Sequence, residues 1–593
     1  MDRKSILILV GSFALYVLWM VMAPKIWPPK PIPNWKATNQ LAQATNGVAT
    51  GTNVAAISAN TNAVAPIVPG PLPSGPEDLV VLSNSLARYT FTSRGGGFKT
   101  VELLNFPESV DCHSKSPQTN LATLNTATSL PLLAVGGSDA LVGDAAFKVE
   151  RTASGVRAQK ILPGGLVLEK DFALASNYLV YATVRISNST AQPIALPAQE
   201  YSVGTATPMG PLDNEQNVGV FWYNGAKEQQ WAGRSGMSCV GGTAPTTYSG
   251  GNNDVVWAAV HNQFFVVALM PAQPATQVIA NRVDLPPPSR EVMAANPKAT
   301  AKPFGFQTGV FYSGTNLPAN AAIERKFIIY AGPKENRRLE LIAAEQKNNL
   351  DALMGYSGFI GWFARALLAA MNGLHALVPS YAFAIIAITV IIKMLFWPLT
   401  AASTRSMKRM QALQPQMKAL QDKYKDDPAK MNAKLMQFMK ENKVSPLGGC
   451  LPMLLQIPVF FGFYRMIQSA IELRGAQFLW VCDLSRPDTL FVLPGLNVPV
   501  NPLPLIMGVT MLWQARLTPA SPGMDPAQQK IMRYMPLMFL FILYNFSAGL
   551  TLYWTVQNLL TIAQMKLTRT KDAKSSPGTA GAAPVAGPPK RRR

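Results

Sequence analysis

Hydrophobic positions along this chain follow two different rhythms. From residue 79 to about 333, apolar and polar residues alternate in short runs punctuated by glycine and proline, as in "GLVLEKDFAL", "YLVYATVRISN" and "RKFIIYAG". Period-two alternation predicts strands, and "ILPGGLVLEKDF" reads as a hairpin. Strand and turn signals repeated over about 250 residues predict a large all-β sandwich at 78–340. From residue 355 onward the apolar runs become long and continuous, and the prediction changes to membrane helices.

The segment 355–378, interrupted by Arg365, Asn372 and His375, reads as an amphipathic helix lying at the outer membrane interface before Pro379. Transmembrane helices are predicted at 379–398, 448–470 and 501–517. The apolar region that follows, 534–566, would greatly overshoot a ~30 Å hydrocarbon core as one helix at 1.5 Å per residue. A break at "NFSAG", residues 545–549, makes it two spans, 534–546 and 548–567. At the other end of the chain, Arg3 and Lys4 precede an apolar run from Ile6 to Ala23. Its length and poor cleavage site predict an uncleaved anchor at 1–23 with the N-terminus inside. Residues 24–77 are rich in Pro, Asn, Ala, Thr and Gly and cannot bury enough surface to order themselves, so they form a linker.

Between the spans, the residues of 399–447 read as a helical hairpin. Met407, Met410, Leu413, Met417 and Leu420 recur at helical spacing, "KDDP" makes a turn, and Met431, Leu435, Phe438 and Met439 answer on a second helix. Methionine-rich faces pack against themselves, and they also suit surfaces that accept varied apolar partners.

Charge orients these elements. Residues 401–447 carry ten Lys and Arg against four Asp and Glu, residues 566–593 eight against one, and residues 472–502 two against three. Basic loops stay inside, so 399–447, the loop 518–533 and the tail 568–593 are cytoplasmic and 471–500 is periplasmic. Counting the anchor, the chain has six spans with both termini cytoplasmic.

Composition agrees with a membrane protein. Of 593 residues, 48% are hydrophobic and only 14% charged, against about 25% charged in soluble domains. The formal net charge is nevertheless +21. Four cysteines are too few for a disulfide framework; Cys112 and Cys239 could pair in an exported domain or remain free thiols. The three histidines and the cysteines form no metal-ligand spacing, and no GxSxG, HExxH or P-loop occurs. No metal, cofactor or enzymatic activity is expected.

One residue breaks the apolar pattern. Lys393 lies within "AIIAITVIIKMLFWPLT". A lysine near a bilayer centre costs roughly 2.5–3.5 kcal/mol on insertion scales, and such residues face bundle interiors or water-filled cavities. A snorkelling stem offers one explanation. Its company favours another: Thr389 lies one turn away, and other spans carry Gln456, Gln514, Asn545, Thr551, Thr555, Gln557, Asn558 and Gln564. Such a set suggests a shared polar cavity.

Four segments, "FWPLTAASTRSMKRMQALQPQMKAL", "NKVSPLGGCLPMLLQIPVFFGFYRMI", "DPAQQKIMRYMPLMF" and "SAGLTLYWTVQNLLTIAQ", together resemble the YidC/Oxa/Alb membrane protein insertases of the Gram-negative bacterial type, over about 351–567. The start "TSRGGGFKTVELLNF" and the exported β domain are similar to the periplasmic domain of that subfamily. The resemblance implies a bacterial inner-membrane insertase and chaperone that uses no nucleotide and works alone or with the Sec translocon. It implies a five-span core around a groove open to cytoplasm and lipid and closed outside, with one positive residue in the groove. That residue aligns with Lys393, where the family typically has arginine; lysine keeps the charge and loses the planar five-donor fork. Gln514 and Trp554 fall at other groove positions, and Thr389, Gln456 and Asn558 join them from polarity and span.

Implied partners are nascent membrane proteins, the Sec translocon, the ribosome through the basic tail and cytoplasmic loops, and anionic lipids. Met407, Met410, Met417, Met431 and Met439 of the hairpin are the expected client-receiving residues. A small-solute transporter or channel is the alternative; no second half repeats the first, and ion flux in vesicles discriminates the two.

Overall fold

A computed structural model describes residues 76–110, 112, 120–126, 130–142, 146–210, 217–232, 246–290, 293, 303–424, 427–442, 451–493, 498–517 and 526–568. The predicted anchor 1–23, the linker up to residue 75 and the tail beyond residue 568 lie outside the described residues.

The alternating segments form antiparallel sheets. Nine strands make the largest, in the order Glu228–Ala232, Gly219–Tyr223, Trp257–His261, Phe265–Pro271, Ala322–Pro333, Leu179–Asn188, Leu166–Leu174, Gly155–Ile161 and Lys148–Arg151. Five make the second: Thr247–Gly250, Gln277–Asp284, Phe304–Tyr312, Gln199–Ala206 and Val135–Gly136. The two sheets face each other through aromatic side chains, with Tyr201 of the second 4.9 Å from Phe327 of the first and Phe306 4.7 Å from Trp231. A four-stranded sheet beginning at Leu79–Ser83 closes one end, where Phe91 and Phe98 pack on Phe172 at 5.2 Å. This is a β-sandwich, as the alternation predicts.

Local chemistry explains its turns. Gly155–Ile161 pairs with Leu166–Leu174 across a turn in which Gly164 and Gly165 both take φ of +87°, a conformation that costs glycine no Cβ clash. Some buried polar groups are tied by hydrogen bonds. Lys170 donates to the carbonyls of Gly95 and Leu133 at 2.7 and 2.8 Å beneath the Phe147 ring, and burial holds its amine well below the ordinary lysine range.

After the last long strand come helices α1 (Asn336–Gln346) and α2 (Gly358–His375), then α3 (Tyr381–Leu395) and α4 (Trp397–Ala412). They are followed by α5 (Gln414–Lys423), α6 (Pro428–Glu441), α7 (Leu451–Ser469), α8 (Pro502–Leu517), α9 (Pro526–Leu543) and α10 (Ala548–Thr568). α2 buries Ala364, Leu367, Leu368 and Met371 and leaves Phe359 and Trp362 stacked on the exposed side. Gly462 of α7 permits Phe363 of α2 to approach, since a Cβ there would lie 2.4 Å from its ring. The chain breaks at Phe396, and α4 leaves α3 at 59°. The interruption between α9 and α10 falls within the "NFSAG" region.

Among the described residues no single helix is long and apolar enough to cross a membrane; α3 with the start of α4 passes that test only as a bent pair. The 15 residues of α3 measure roughly 22 Å at 1.5 Å per residue, short of a ~30 Å core.

Candidate functional site

The polar residues of α3, α7, α8 and α10 meet inside the helical bundle. α10 carries two polar rows at helical spacing, Thr551, Thr555 and Asn558 on one and Gln557, Thr561 and Gln564 on the other. α3 packs along α10 on one side and α8 along another. The apolar faces of α3 and α9 turn outward, with Ile391, Met394, Leu395, Phe541 and Ile542 exposed.

Lys393 is buried in the last turn of α3, only 7% exposed. Its Nζ donates to Thr561 Oγ1 at 2.8 Å, and that hydroxyl in turn donates to the Gln557 carbonyl at 2.7 Å. The Gln557 side chain donates to Gln456 Oε1 at 2.9 Å, and Gln456 Nε2 bonds the Tyr553 hydroxyl. Two sets of hydrogen bonds that meet at Gln557, one on its backbone carbonyl and one on its side-chain amide, therefore link the Lys393 ammonium through α10 to α7. No carboxylate of the described residues lies within ion-pair distance of Lys393.

The other expected residues sit around these bonds in different ways. Asn558 Nδ2 donates to Thr510 Oγ1 at 3.1 Å, joining α10 to α8. Gln514 lies half-buried one turn beyond Thr510. Thr389 is buried one turn from Lys393, but its hydroxyl donates to the Ile385 carbonyl of its own helix at 2.6 Å. Trp554 joins an aromatic group, 4.8 Å from Phe460 and 5.8 Å from Phe539. Gln564 donates to Thr400 Oγ1 at 2.8 Å, tying α10 to α4.

Thr561, Tyr553, Thr510 and Thr400 escaped the sequence reading. Thr561 and Tyr553 lay within a span already recognised as polar, and four-residue spacing from Gln557 was the available signal for both. Which hydroxyl meets which amide is decided by packing between helices, and the sequence carries no mark of it.

At the end of the bundle away from Lys393, the loop between α7 and α8 packs over the start of α10. The first amides of α10 are satisfied by it: Ala548 donates to the Arg486 carbonyl at 2.7 Å and Gly549 to the Leu484 carbonyl at 2.8 Å. Asp488 accepts from the Leu503 amide at 2.6 Å and from Trp480 Nε1 at 3.1 Å, capping α8. Burial pushes the Asp488 carboxyl up from its ordinary value, against the pull of these donors. Arg474 reaches from the same loop to the carbonyls of Pro107 and Glu108 in the β domain, at 2.7 and 3.0 Å.

The cysteines correct one expectation. Cys112 pairs with Cys482 of this loop, with Cα atoms 5.4 Å apart, and not with Cys239, which lies outside the described residues. The candidate Cys112–Cys239 pairing considered only the exported domain; the loop after α7 brings a cysteine to the same place.

In the segment of α4 to α6, Met410 and Met417 are buried against Leu435, with Met431, Phe438 and Met439 packed around them. The methionine-rich faces of α4, α5 and α6 thus meet each other, while Met436 is exposed. The Met407 side chain lies outside the described residues.

Comparison with known proteins gives this arrangement its context. Residues 373–575 match the family described as 60Kd inner membrane protein, and residues 79–370 match the YidC periplasmic domain. Membrane protein insertase YidC of Syntrophus aciditrophicus is 30% identical over 95% of this chain and 98% of its own length. The chain belongs to the YidC family of membrane protein insertases. YidC of Maridesulfovibrio salexigens is 29% identical over the same shares of the two chains. A crystal structure described as an active YidC insertase with its first transmembrane domain resolved covers 83% of this chain and 92% of that chain, at 18% identity and a TM-score of 0.34. YidC membership makes this an inner-membrane protein whose β-sandwich is the periplasmic domain.

Proposed function

We propose that this YidC-family chain inserts membrane proteins by drawing the polar or acidic flank of a nascent segment to Lys393, inside a hydrated groove walled by α3, α7, α8 and α10. The observation that carries the reading is the buried Lys393 ammonium, held by a neutral hydroxyl and lacking a carboxylate partner among the described residues. A charge so placed is poorly screened and available to an acidic visitor. A polar flank cannot cross hydrocarbon unaided, because each unsatisfied group costs several kcal/mol. A wet groove shortens the dry path, and short helices such as α3 and α8 thin the bilayer around it. The segment then leaves sideways into lipid, driven by burial of its own apolar surface.

The topology proposed with this mechanism has six spans: the anchor, α3, α7, α8, α9 and α10, with both termini cytoplasmic and α2 at the outer interface. The Cys112–Cys482 bridge supports its sidedness, since a disulfide requires both cysteines on one side of the membrane, and the periplasm is the oxidising side. Two spans, α3 and α7, separate the β domain from Cys482, which returns the loop to the periplasm. The Sec translocon, the ribosome and anionic lipids are the further partners of this reading. The hairpin of α4 to α6 receives clients, and the β domain positions the assembly without catalysing a reaction.

Vesicles containing the purified chain test the mechanism with a small two-span client carrying an acidic flank. Lys393→Ala should reduce insertion roughly tenfold, the effect of losing ~1.4 kcal/mol of charge attraction, while Lys393→Arg retains it. Wild-type insertion of every acidic-flanked client by Lys393→Ala would exclude the groove-charge mechanism.

A further inference from the structure

Cys112 and Cys482 differ in their surroundings, and the difference decides which sulfur of the bridge another thiol can reach. Cys482 is half-buried between Val481 and Asp483, which are 2% and 5% exposed. Its loop is tied on both sides of it. Phe478 and Val481 exchange backbone hydrogen bonds at 2.9 and 2.8 Å, and the Leu484 amide donates to the Ala476 carbonyl at 3.1 Å. Asp483 Oδ1 accepts from the amide and the hydroxyl of Ser485 at 2.8 and 2.6 Å. Cys112, by contrast, is exposed. It follows the strand Gly97–Pro107, beyond the point where the Glu108 amide donates to the Asn120 carbonyl at 2.9 Å. A thiolate attacks a disulfide in line with the S–S bond, so the sulfur it meets must be open on the side away from its partner. Of the two, Cys112 Sγ is the open one.

Chain order adds an independent constraint. Cys482 follows Cys112 by 370 residues, which take roughly 20–75 s to synthesise at ~5–20 residues per second. Both α3 and α7 lie within that interval. In an oxidising compartment an exposed thiol that waits so long for its partner meets an oxidant first, since disulfide exchange begins within seconds. Contacts other than the bridge then bring Cys482 to it. Arg474 donates to the carbonyls of Pro107 and Glu108, and Gly475 lies against Val110, where a Cβ would stand 3.5 Å from both methyl carbons.

We infer that Cys112 is the site at which a periplasmic protein oxidant of the dithiol–disulfide class acts, and that Cys482 closes the bridge by displacing that oxidant. In the first step the Cys112 thiolate attacks the oxidant's disulfide, forming a mixed disulfide and releasing one oxidant thiolate. In the second, the Cys482 thiolate attacks Cys112 Sγ; the Cys112–Cys482 bond forms, the mixed disulfide breaks, and the second oxidant sulfur leaves as a thiolate. The two cysteines lose two electrons and two protons, and the oxidant gains both as it becomes a dithiol. The bridge is therefore closed last, and only in molecules whose α7–α8 loop has reached the compartment of the β domain. The periplasmic location of the exchange rests on the proposed span arrangement, and the experiment separates the two.

Opening and closing pass through the same mixed disulfide, so the second step can be run backwards. Full-length protein with Cys239→Ser and Cys450→Ser, carrying the Cys112–Cys482 bridge, is treated in detergent with reduced thioredoxin that lacks its resolving cysteine. An alkylating agent caps the released thiol, and adducts are located by peptide mass mapping. Thioredoxin should be found on Cys112 at least about tenfold more often than on Cys482. Adducts shared equally or lying mostly on Cys482 overturn the inference and leave the spans standing, as does a bridge that forms no adduct. Sealed membrane vesicles then read the side of the membrane, because thioredoxin does not cross it. Adducts at Cys112 in right-side-out vesicles are the expected result. Adducts at Cys112 in detergent and in inverted vesicles alone overturn the span arrangement and the periplasmic oxidant with it.

Discussion

Lys393 is held by a hydroxyl where a carboxylate would have neutralised it, and in the proposed mechanism its charge is thereby kept for a client. A hydrogen bond to a charged group is worth about 1.5–3 kcal/mol, enough to fix the ammonium without cancelling its field. Thr561→Val, which keeps the shape and removes the acceptor, should therefore lower insertion of acidic-flanked clients by roughly 3–10-fold and leave clients with neutral flanks unaffected. Thr561→Ser should restore it. A uniform loss across both client classes would instead mark Thr561 as a packing residue. Lysine at 393 was legible because an ion inside an apolar run has few explanations, whereas Thr561 was not, because a helix tolerates threonine for many reasons. The β domain offers a residue-scale test of its own. Glu200 is buried with its Oε2 lacking a partner, and burial pushes its carboxyl up to about 8. The folded state therefore binds the proton more tightly than the unfolded chain. This contribution is fully present below about pH 4.5 and declines as pH rises towards 8. Glu200→Gln should flatten the fall in thermal stability across that window and raise the melting temperature at pH 8. An unchanged pH profile on calorimetry would show that Glu200 ionises freely.

At the scale of elements, periodicity predicted the types of structure and left their junctions open. The alternation in "GLVLEKDFAL" produced strand Leu166–Leu174 because its alternate side chains Leu166, Leu168, Lys170 and Phe172 are buried in the sandwich. The predicted span 379–398 and hairpin 399–447 meet differently: the backbone breaks at Phe396, and α4 runs without interruption from Trp397 into the hairpin segment. Proline at the second position of α4 accounts for the break, since it has no N–H to bond the Met394 carbonyl four residues back, its ring crowds that carbonyl, and it starts a new helix readily. The hairpin's methionines meet in a core of their own, so receiving a client requires that core to open. A photo-crosslinker at Met417 should capture nascent chains only while an insertion intermediate is stalled on the protein, whereas one at exposed Met436 should not depend on opening. Silence at Met417 in the stalled state, with capture at Gln514, would leave the hairpin as scaffold.

For the whole molecule, the bridge between Cys112 and Cys482 joins parts of the chain 370 residues apart and makes the periplasmic domain continuous with the cap over the bundle. Spacing could not have revealed this pair, because one partner lies beside the strands and the other between spans, and only the folded topology brings them together. Non-covalent contacts reinforce the bridge: Arg474 bonds the carbonyls of Pro107 and Glu108 and lies 5.4 Å from the Phe265 ring, and Gln263 donates to the Gln468 carbonyl at 3.2 Å. If the β domain serves to steady the cap, loosening this seam should act on both. Cys482→Ser should lower the melting temperature of the periplasmic domain by roughly 5–15 °C, the shift expected from a bridge worth ~2–4 kcal/mol in a domain of this size. In the same variant, amide exchange should quicken at Ala548 and Gly549, whose hydrogen bonds depend on the loop holding its place. The two readouts separate two roles. A lower melting temperature with unchanged exchange at α10 would make the disulfide a staple of the β domain alone. Coupled changes would mean that the periplasmic domain stabilises the outer closure of the insertase, so that a reduced bridge weakens the seal on the side where no client should emerge.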